Sequence, residues 1–426
     1  MTQTMTKTRK RLAAGAVTVV AVAAIAVAGT FTVRSYRATG DTSNDASVVA
    51  FQPDANSAQY GTDATISKLQ QKIEKNDQDF ASMLGLANAY LQKVRETGDP
   101  ALYAKAEAIL DRAAKVDAES PDLFAGQAYL ALARHDFTGA LELGQKAVAV
   151  APDVARYHGI VGDALIELGQ YPEAINSLQR MAIIRPDFAA YSRAAYAREL
   201  YGDTEGAIEA WQGALEAGAP FPENVAWANV QLGNLQITFN HLDDASRSYS
   251  AALERVTDYP PALAGQARIA TINGDYDEAK RLYAMAFERM PLAEYAVALG
   301  DIATRQGDTK EADRQYGLVR AIDTLQSQNG VNLDLEVALF MADRGTDPAG
   351  AIERARQAWT NRPNIHSADA LAWALYQDGQ YEEAQQYATE ALKLGTRDSL
   401  KEFHAAMIAK ALGQTEDARD HLNEAL

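Results

Sequence analysis

Gly169-Gln170-Tyr171-Pro172-Glu173-Ala174 recurs as Gly274-Asp275-Tyr276-Asp277-Glu278-Ala279 and again as Gly379-Gln380-Tyr381-Glu382-Glu383-Ala384. A glycine can end one helix in the left-handed conformation, and acids just after it complement the positive end of the next helix dipole. Pro172 suits a first helical turn. The stretch therefore reads as a tight junction between two helices. Its closing alanine belongs to a longer series: Ala106, Ala140, Ala174, Ala207, Ala245, Ala279, Ala312, Ala351, Ala384 and Ala418. Neighbouring members are 34, 34, 33, 38, 34, 33, 39, 33 and 34 residues apart. A period of this size marks stacked repeats, each burying its apolar face against its neighbours.

Other positions keep the same time. Seven residues after the anchor stands a second alanine (Ala113, Ala147, Ala214, Ala252, Ala286, Ala358, Ala391, Ala425), with Met181 and Val319 as exceptions. Two helical turns separate the pair, so both lie on one face and admit a close neighbour. Trp211, Tyr249, Tyr283 and Tyr316 follow their anchors by four residues. Twelve residues before the anchor is Ala128, Gly162, Ala195, Gly233, Ala267, Gly300, Ala372 or Ala406, with Leu339 departing. Pro152, Pro186, Pro291 and Pro363, twelve after their anchors, stop the second helix. Start, crossing and stop signals agree, and that agreement predicts an all-α fold of about ten helix pairs.

The combination resembles the tetratricopeptide repeat family from about residue 80 to 426. The resemblance implies a right-handed α-solenoid of helix pairs, with the first helix of each pair lining a concave groove that holds peptides or protein segments. Departures are expected at three places: a longer inter-helix turn from Lys93 to Leu102, extra residues at Gly218-Ala219-Pro220-Phe221-Pro222, and more around Ser327-Gln328-Asn329-Gly330. Ile66 to Lys75 reads as a lone helix covering the first repeat, so the solenoid with its cap is placed at residues 65–426.

The N-terminus carries a different message. Residues 1–11 include Lys7, Arg9, Lys10 and Arg11, ahead of an uncharged run from Leu12 to Val33. Twenty-two helical residues span about 33 Å, enough for a bilayer core, and the basic cluster is expected to stay in the cytoplasm. The expectation is a single-pass anchor in a bacterial plasma membrane with the solenoid outside the cytoplasm. The alternative is a signal segment cleaved near Ala28, which leaves a secreted or periplasmic protein. Residues 34–64 read as a polar tether.

The formal charge is −17; residues 1–37 hold six basic groups and no acid, which leaves 34 basic against 57 acidic groups beyond them, a formal −23. Such a body opposes nucleic acid and favours neutral or basic protein partners. The chain has no cysteine, so neither disulfides nor thiolate zinc sites are available to it. Its six histidines show no His-Glu-x-x-His pair, no phosphate loop ends in Lys-Ser or Lys-Thr, and Asp275 with Asp277 lacks the remaining calcium-ligand spacing. No enzymatic activity, cofactor or metal is expected. With the repeats, tether and N-terminal segment assigned, no stretch is left for a catalytic domain.

By the resemblance, the residue eleven before each anchor points into the groove. That row is Tyr129, Asp163, Tyr196, Asn234, Arg268, Asp301, Phe340, Trp373 and Met407, with Asn88 equivalent in the first unit. Tyr376 and Phe403 join Phe340, Trp373 and Met407 in a C-terminal aromatic cluster, a composition typical of interface anchors. Packing between helices is the competing fate of these rings. A lone Arg268 among Asp163 and Asp301 does not suit a clamp for a terminal carboxylate. The expected function is an assembly scaffold that binds protein or peptide segments. Two alternatives stand beside it. One is a helper in c-type cytochrome maturation or envelope-complex assembly, because a membrane segment, a lone helix and repeats in that order are similar to such proteins. The other is a structural protein that self-associates through its C-terminal end.

Overall fold

Every junction anticipated from the glycine turns separates two helices. The computed structural model describes residues 55–218, 222–345 and 347–426. A leading helix, α1 (Ala55–Lys75), precedes α2 (Phe80–Thr97) with α3 (Ala101–Ala114), α4 (Pro121–Ala133) with α5 (Phe137–Val150), and α6 (Ala155–Glu167) with α7 (Tyr171–Ile184). Next come α8 (Phe188–Leu200) with α9 (Thr204–Ala217), α10 (Pro222–Thr238) with α11 (Leu242–Arg255), and α12 (Pro260–Asn273) with α13 (Tyr276–Arg289). The last four pairs are α14 (Ala293–Gln306) with α15 (Thr309–Gln328), α16 (Asp334–Arg344) with α17 (Pro348–Asn361), α18 (Ile365–Gln377) with α19 (Tyr381–Leu392), and α20 (Ser399–Ala411) with α21 (Thr415–Glu424). The fold is an all-α solenoid of ten pairs among the described residues. The expected membrane segment at 12–33 lies outside them, and no helix among them is long and apolar enough to cross a bilayer.

The anchor alanines sit where paired helices cross. All are buried except Ala418 in α21, which is only partly buried. Small residues twelve positions earlier make room for large ones on the partner helix: a methyl group at Gly233 would meet the Tyr249 ring, and one at Gly300 the Tyr316 ring. The turn glycines take the left-handed conformation, with φ 68° at Gly169, 81° at Gly274 and 82° at Gly379; His135 and Asn240 occupy the same slot with φ 62° and 58°. One residue further on, Asp136, Asp203, Asp275 and Asp308 each accept a hydrogen bond from the backbone N–H three residues later, as does Asp347 two residues after Gly345, capping the second helix.

Two sequence expectations are corrected, and a third, the extra residues near Gly330, takes a definite form. The segment Lys93–Leu102 is not a long turn: α2 continues to Thr97, held by Lys93 on Asp63 (2.7 Å) and Glu96 on Thr62, and ends at Gly98 with φ 69°. Helix α1 starts at Ala55, inside the stretch read as tether, and bends at Gly61; its Leu69 and Ile73 pack into the first core cluster. The polar composition of 55–64 concealed a helix whose later turns have a neighbour to pack on. The extra residues at 327–330 lengthen α15 to 20 residues and carry the chain on to a contact with α4.

Among the described residues, that contact is one of four at which the solenoid meets itself a full turn later. The Asn332 N–H donates to the Arg134 carbonyl (3.2 Å), and His135 Nδ1 lies 2.6 Å from the Asn332 carbonyl oxygen, 197 residues away in sequence. Asn364 Nδ2 donates to Glu167 Oε2 (2.9 Å) and the Ile365 N–H to the Tyr171 hydroxyl (2.9 Å). The Thr396 hydroxyl donates to the Leu200 carbonyl, and Gly98 faces Met290 and Leu292. Inter-helix turns of the first four repeats thus rest on the loops that lead into repeats seven to ten. The coil is closed, turn upon turn.

Candidate binding lumen

First helices of the pairs face inward, and a cavity of about 2110 Å³ lies between them, closed at one side by α1 and by the extended end of α15. Asn88, Tyr129, Asp163, Asn234, Arg268 and Phe340 of the expected groove row line it, whereas Tyr196, Asp301, Trp373, Tyr376, Phe403 and Met407 are not on its lining. Tyr196 points to the joint between turns, with its hydroxyl 3.3 Å from His366 Nε2. Asp301 accepts from the Tyr316 hydroxyl (2.8 Å) and from Arg344.

Trp373 is 7 % exposed. Its ring stacks on His404 (4.1 Å between centroids) and on Tyr376 (4.9 Å), and its indole N–H donates to Asp343 (2.9 Å). Phe403 and Met407 pack against the same cluster. These rings are spent on contacts between α16, α18 and α20.

Phe340 reaches the lumen out of register. Between Gly345 and Ala351 the turn is one residue longer than between Gly169 and Ala174. The fully buried small residue of that repeat is accordingly Ala338, one place early, and Leu339 takes the position that faces inward. Phe340 falls one step later, buried at 9 %, beside Tyr316 and under the Arg344 guanidinium.

Charge inside the lumen is largely paired. Arg193 holds Asp163 with two hydrogen bonds of 2.8 and 2.6 Å, both side chains buried. Such a planar, two-point pair is the strong form of a charged hydrogen bond. Arg362, 4 % exposed in its side chain, bridges Glu336 (3.0 Å) and Glu167 (3.9 Å). Asn234 accepts from Tyr249 (2.8 Å) and from Arg268 (3.4 Å). Burial pushes the Glu294 carboxyl up to about 7 despite the nearby Arg268, and burial likewise lifts Glu167 to about 7. Against burial, Arg362 holds Glu336 below the usual glutamate range.

Several lining residues escaped the single row: Arg193, Trp227, Glu294, Glu167 and Leu339. Most lie three, four or seven positions from a row member on the same first helix, and that spacing was the signal that could have found them. No group of three His, Cys, Asp or Glu among the described residues is placed to hold a metal ion.

Residues 131–198 and 230–286 each match the Tetratricopeptide repeat. Those two stretches carry tetratricopeptide repeats. A curated relative, the protein CTR9 homolog of Arabidopsis thaliana, is 27 % identical over 189 residues; these make up 43 % of this chain and 17 % of that protein's length. Among solved structures, the APC/C heterotetramer Cut9–Hcn1 is similar over 87 % of this chain and 92 % of its own, at 14 % identity and a TM-score of 0.33. Yeast Tom70 is similar over 82 % and 92 %, at 14 % identity and 0.32. MamA is similar over 40 % and 92 %, at 20 % identity and 0.31. The lumen is the inner surface that the helix pairs make together.

Proposed function

We propose that this chain is a non-enzymatic scaffold or assembly factor that encloses a segment of a protein partner in its lumen, on the outer side of a bacterial plasma membrane. The observation that carries the reading is the lumen itself: about 2110 Å³, walled by first helices, with apolar side chains between charges that are mostly paired already. A helix about 10–12 Å across that rises about 1.5 Å per residue would fill it with roughly 12–18 residues. That is the size of a peptide segment. The excess of acids beyond residue 37 favours a neutral or basic partner. The membrane placement rests on the basic cluster at Lys7–Arg11 and the uncharged run after it.

Two experiments test the reading. A photoreactive amino acid at Leu339, inside the lumen, is expected to cross-link a partner segment from bacterial membranes, while one at Ile183, which is 69 % exposed, is not. Equal capture at both positions would reject the lumen as the binding surface. A reporter fused after Tyr60 that is active only in the cytoplasm should stay silent, and activity would overturn the placement.

A further inference from the structure

Neighbouring repeats are joined by whole helix faces whose small residues are buried, but successive turns of the coil are joined by loops. The joint between turns consists of a few hydrogen bonds, the apolar contact at Gly98, the side chains of Val331, Leu333, Ile365 and Leu394 seated on the core of the earlier turn, and two groups of buried charges, Glu199 with Asp398 and Lys401 and a larger cluster around Arg362. In that cluster Glu167 at the end of α6 meets Arg362 and Asn364 from the loop before α18, and Arg362 also holds Glu336 of α16. Glu167, Glu336, Arg362 and His135 belong to the lumen wall as well as to the joint. Parting the joint therefore uncovers the lumen along its side. Segments tied by few contacts open before the packed core does.

We propose that this joint is a latch: successive turns of the solenoid separate at the Glu167–Arg362–Glu336 cluster and at the Asn332–Arg134 pair, opening a lateral slot through which a polypeptide segment enters the lumen. The latch rests on the reading of the lumen as the binding surface. A closed coil with entry only at its ends would require a partner to thread, whereas a slot admits an internal segment of a longer chain.

The catch responds to pH through Glu167. Burial sets its carboxyl near 7 in the closed coil, where Arg362 and Asn364 favour the charged form and Glu336 and Asp163 oppose it; the hydroxyls of Tyr171 and Tyr196 lie close by. Because the closed-state pKa lies above the ordinary value of 4.5, the stabilisation is full below about 4.5 and is lost as pH rises through about 7. Two histidines at the joint act the other way. Burial and Arg362 hold His135 down, while burial and Lys401 hold His366 down to about 3 against the pull of Asp398, so both oppose closure as pH falls below 6.5. Glu167 by itself raises the open population about tenfold between pH 6 and pH 8.

Hydrogen exchange of the full chain, read by mass spectrometry at pH 6 and 8 and corrected for intrinsic rates, tests the latch. Peptides spanning 329–335 and 362–368 are expected to exchange through an opening that the helix interiors do not share. Glu167→Gln should shrink the rise in opening from pH 6 to pH 8 by about tenfold relative to the parent. The chain has no cysteine, so Arg134→Cys with Gly330→Cys, joined by a short reducible crosslinker, closes one site alone. That closed form should lose the opening and regain it on cleavage of the crosslinker, a readout that stands even where Glu167→Gln fails to fold. Exchange of these peptides only with global unfolding, or an unchanged pH response in Glu167→Gln, overturns the latch. Photo-crosslinking from Leu339 at an unchanged rate in the closed form would remove the latch and leave the lumen reading intact; its absence in the parent protein would remove the lumen reading while the exchange data still judge the opening.

Discussion

At the scale of single residues, burial decides what an aromatic or a carboxylate contributes. Trp373, stacked between Tyr376 and His404 with its N–H on Asp343, is a packing residue. Trp373→Ala is expected to lower folding stability by about 3–5 kcal/mol, visible as a shifted denaturation midpoint, and to leave partner capture by the folded fraction intact. Glu294 is a carboxyl that burial lifts to about 7. Its stabilisation is present below about 4.5 and disappears as pH rises through about 7. Glu294→Gln should therefore match the parent near pH 4 and exceed its stability at pH 8 by roughly 1–3 kcal/mol, measured by denaturant titration at the two pH values. An excess at pH 4 and none at pH 8 would contradict this sign.

Among the elements, the turns show how far sequence reading reached. Helix pairs and their crossings were legible because alanines, glycines and capping acids recur at fixed offsets, and each offset has a steric or hydrogen-bonding cause. Half of the groove row was placed on the lumen by the same offsets. The slip at Leu339 and Phe340 was hidden by one added residue in the turn before Ala351, which a fixed count from the anchor cannot register. The C-terminal rings were misplaced for another reason: composition does not distinguish an aromatic facing a cavity from one packed between α16, α18 and α20. Contacts between turns were not legible at all, since their hydrogen-bonded partners stand 194 to 198 residues apart and the repeat offsets relate neighbours alone. Two turn glycines that look alike in sequence consequently differ in consequence. Gly274 has open space around it, whereas a methyl group on Gly169 would run into the Pro363 carbonyl. Both have positive φ, so Gly274→Ala should cost about 1–2 kcal/mol. Gly169→Ala should cost more and also speed exchange at 362–368; equal losses for the two variants would show that the turns do not touch in solution.

For the whole molecule, closure of the coil departs from the nearest-neighbour stability of an open solenoid. Removing residues 331–426 takes away the hydrogen bonds and ion pairs that repeats two to four make with the next turn of the coil. In an open array the first repeats would not notice. Here, peptides from the C-terminal turn of α6 through the start of α7 are expected to exchange roughly tenfold faster in the truncated chain, while α12 and α13 change little. The 197-residue separation at the Glu167–Asn364 contact also has a meaning in time. At a synthesis rate of about 5–20 residues per second, Glu167 leaves the ribosome about 10–40 s before the residue that will hold it. Throughout that interval the early repeats can stack on one another while their inner wall stays uncovered, so the nascent chain passes through an obligatory open form before it becomes a closed one.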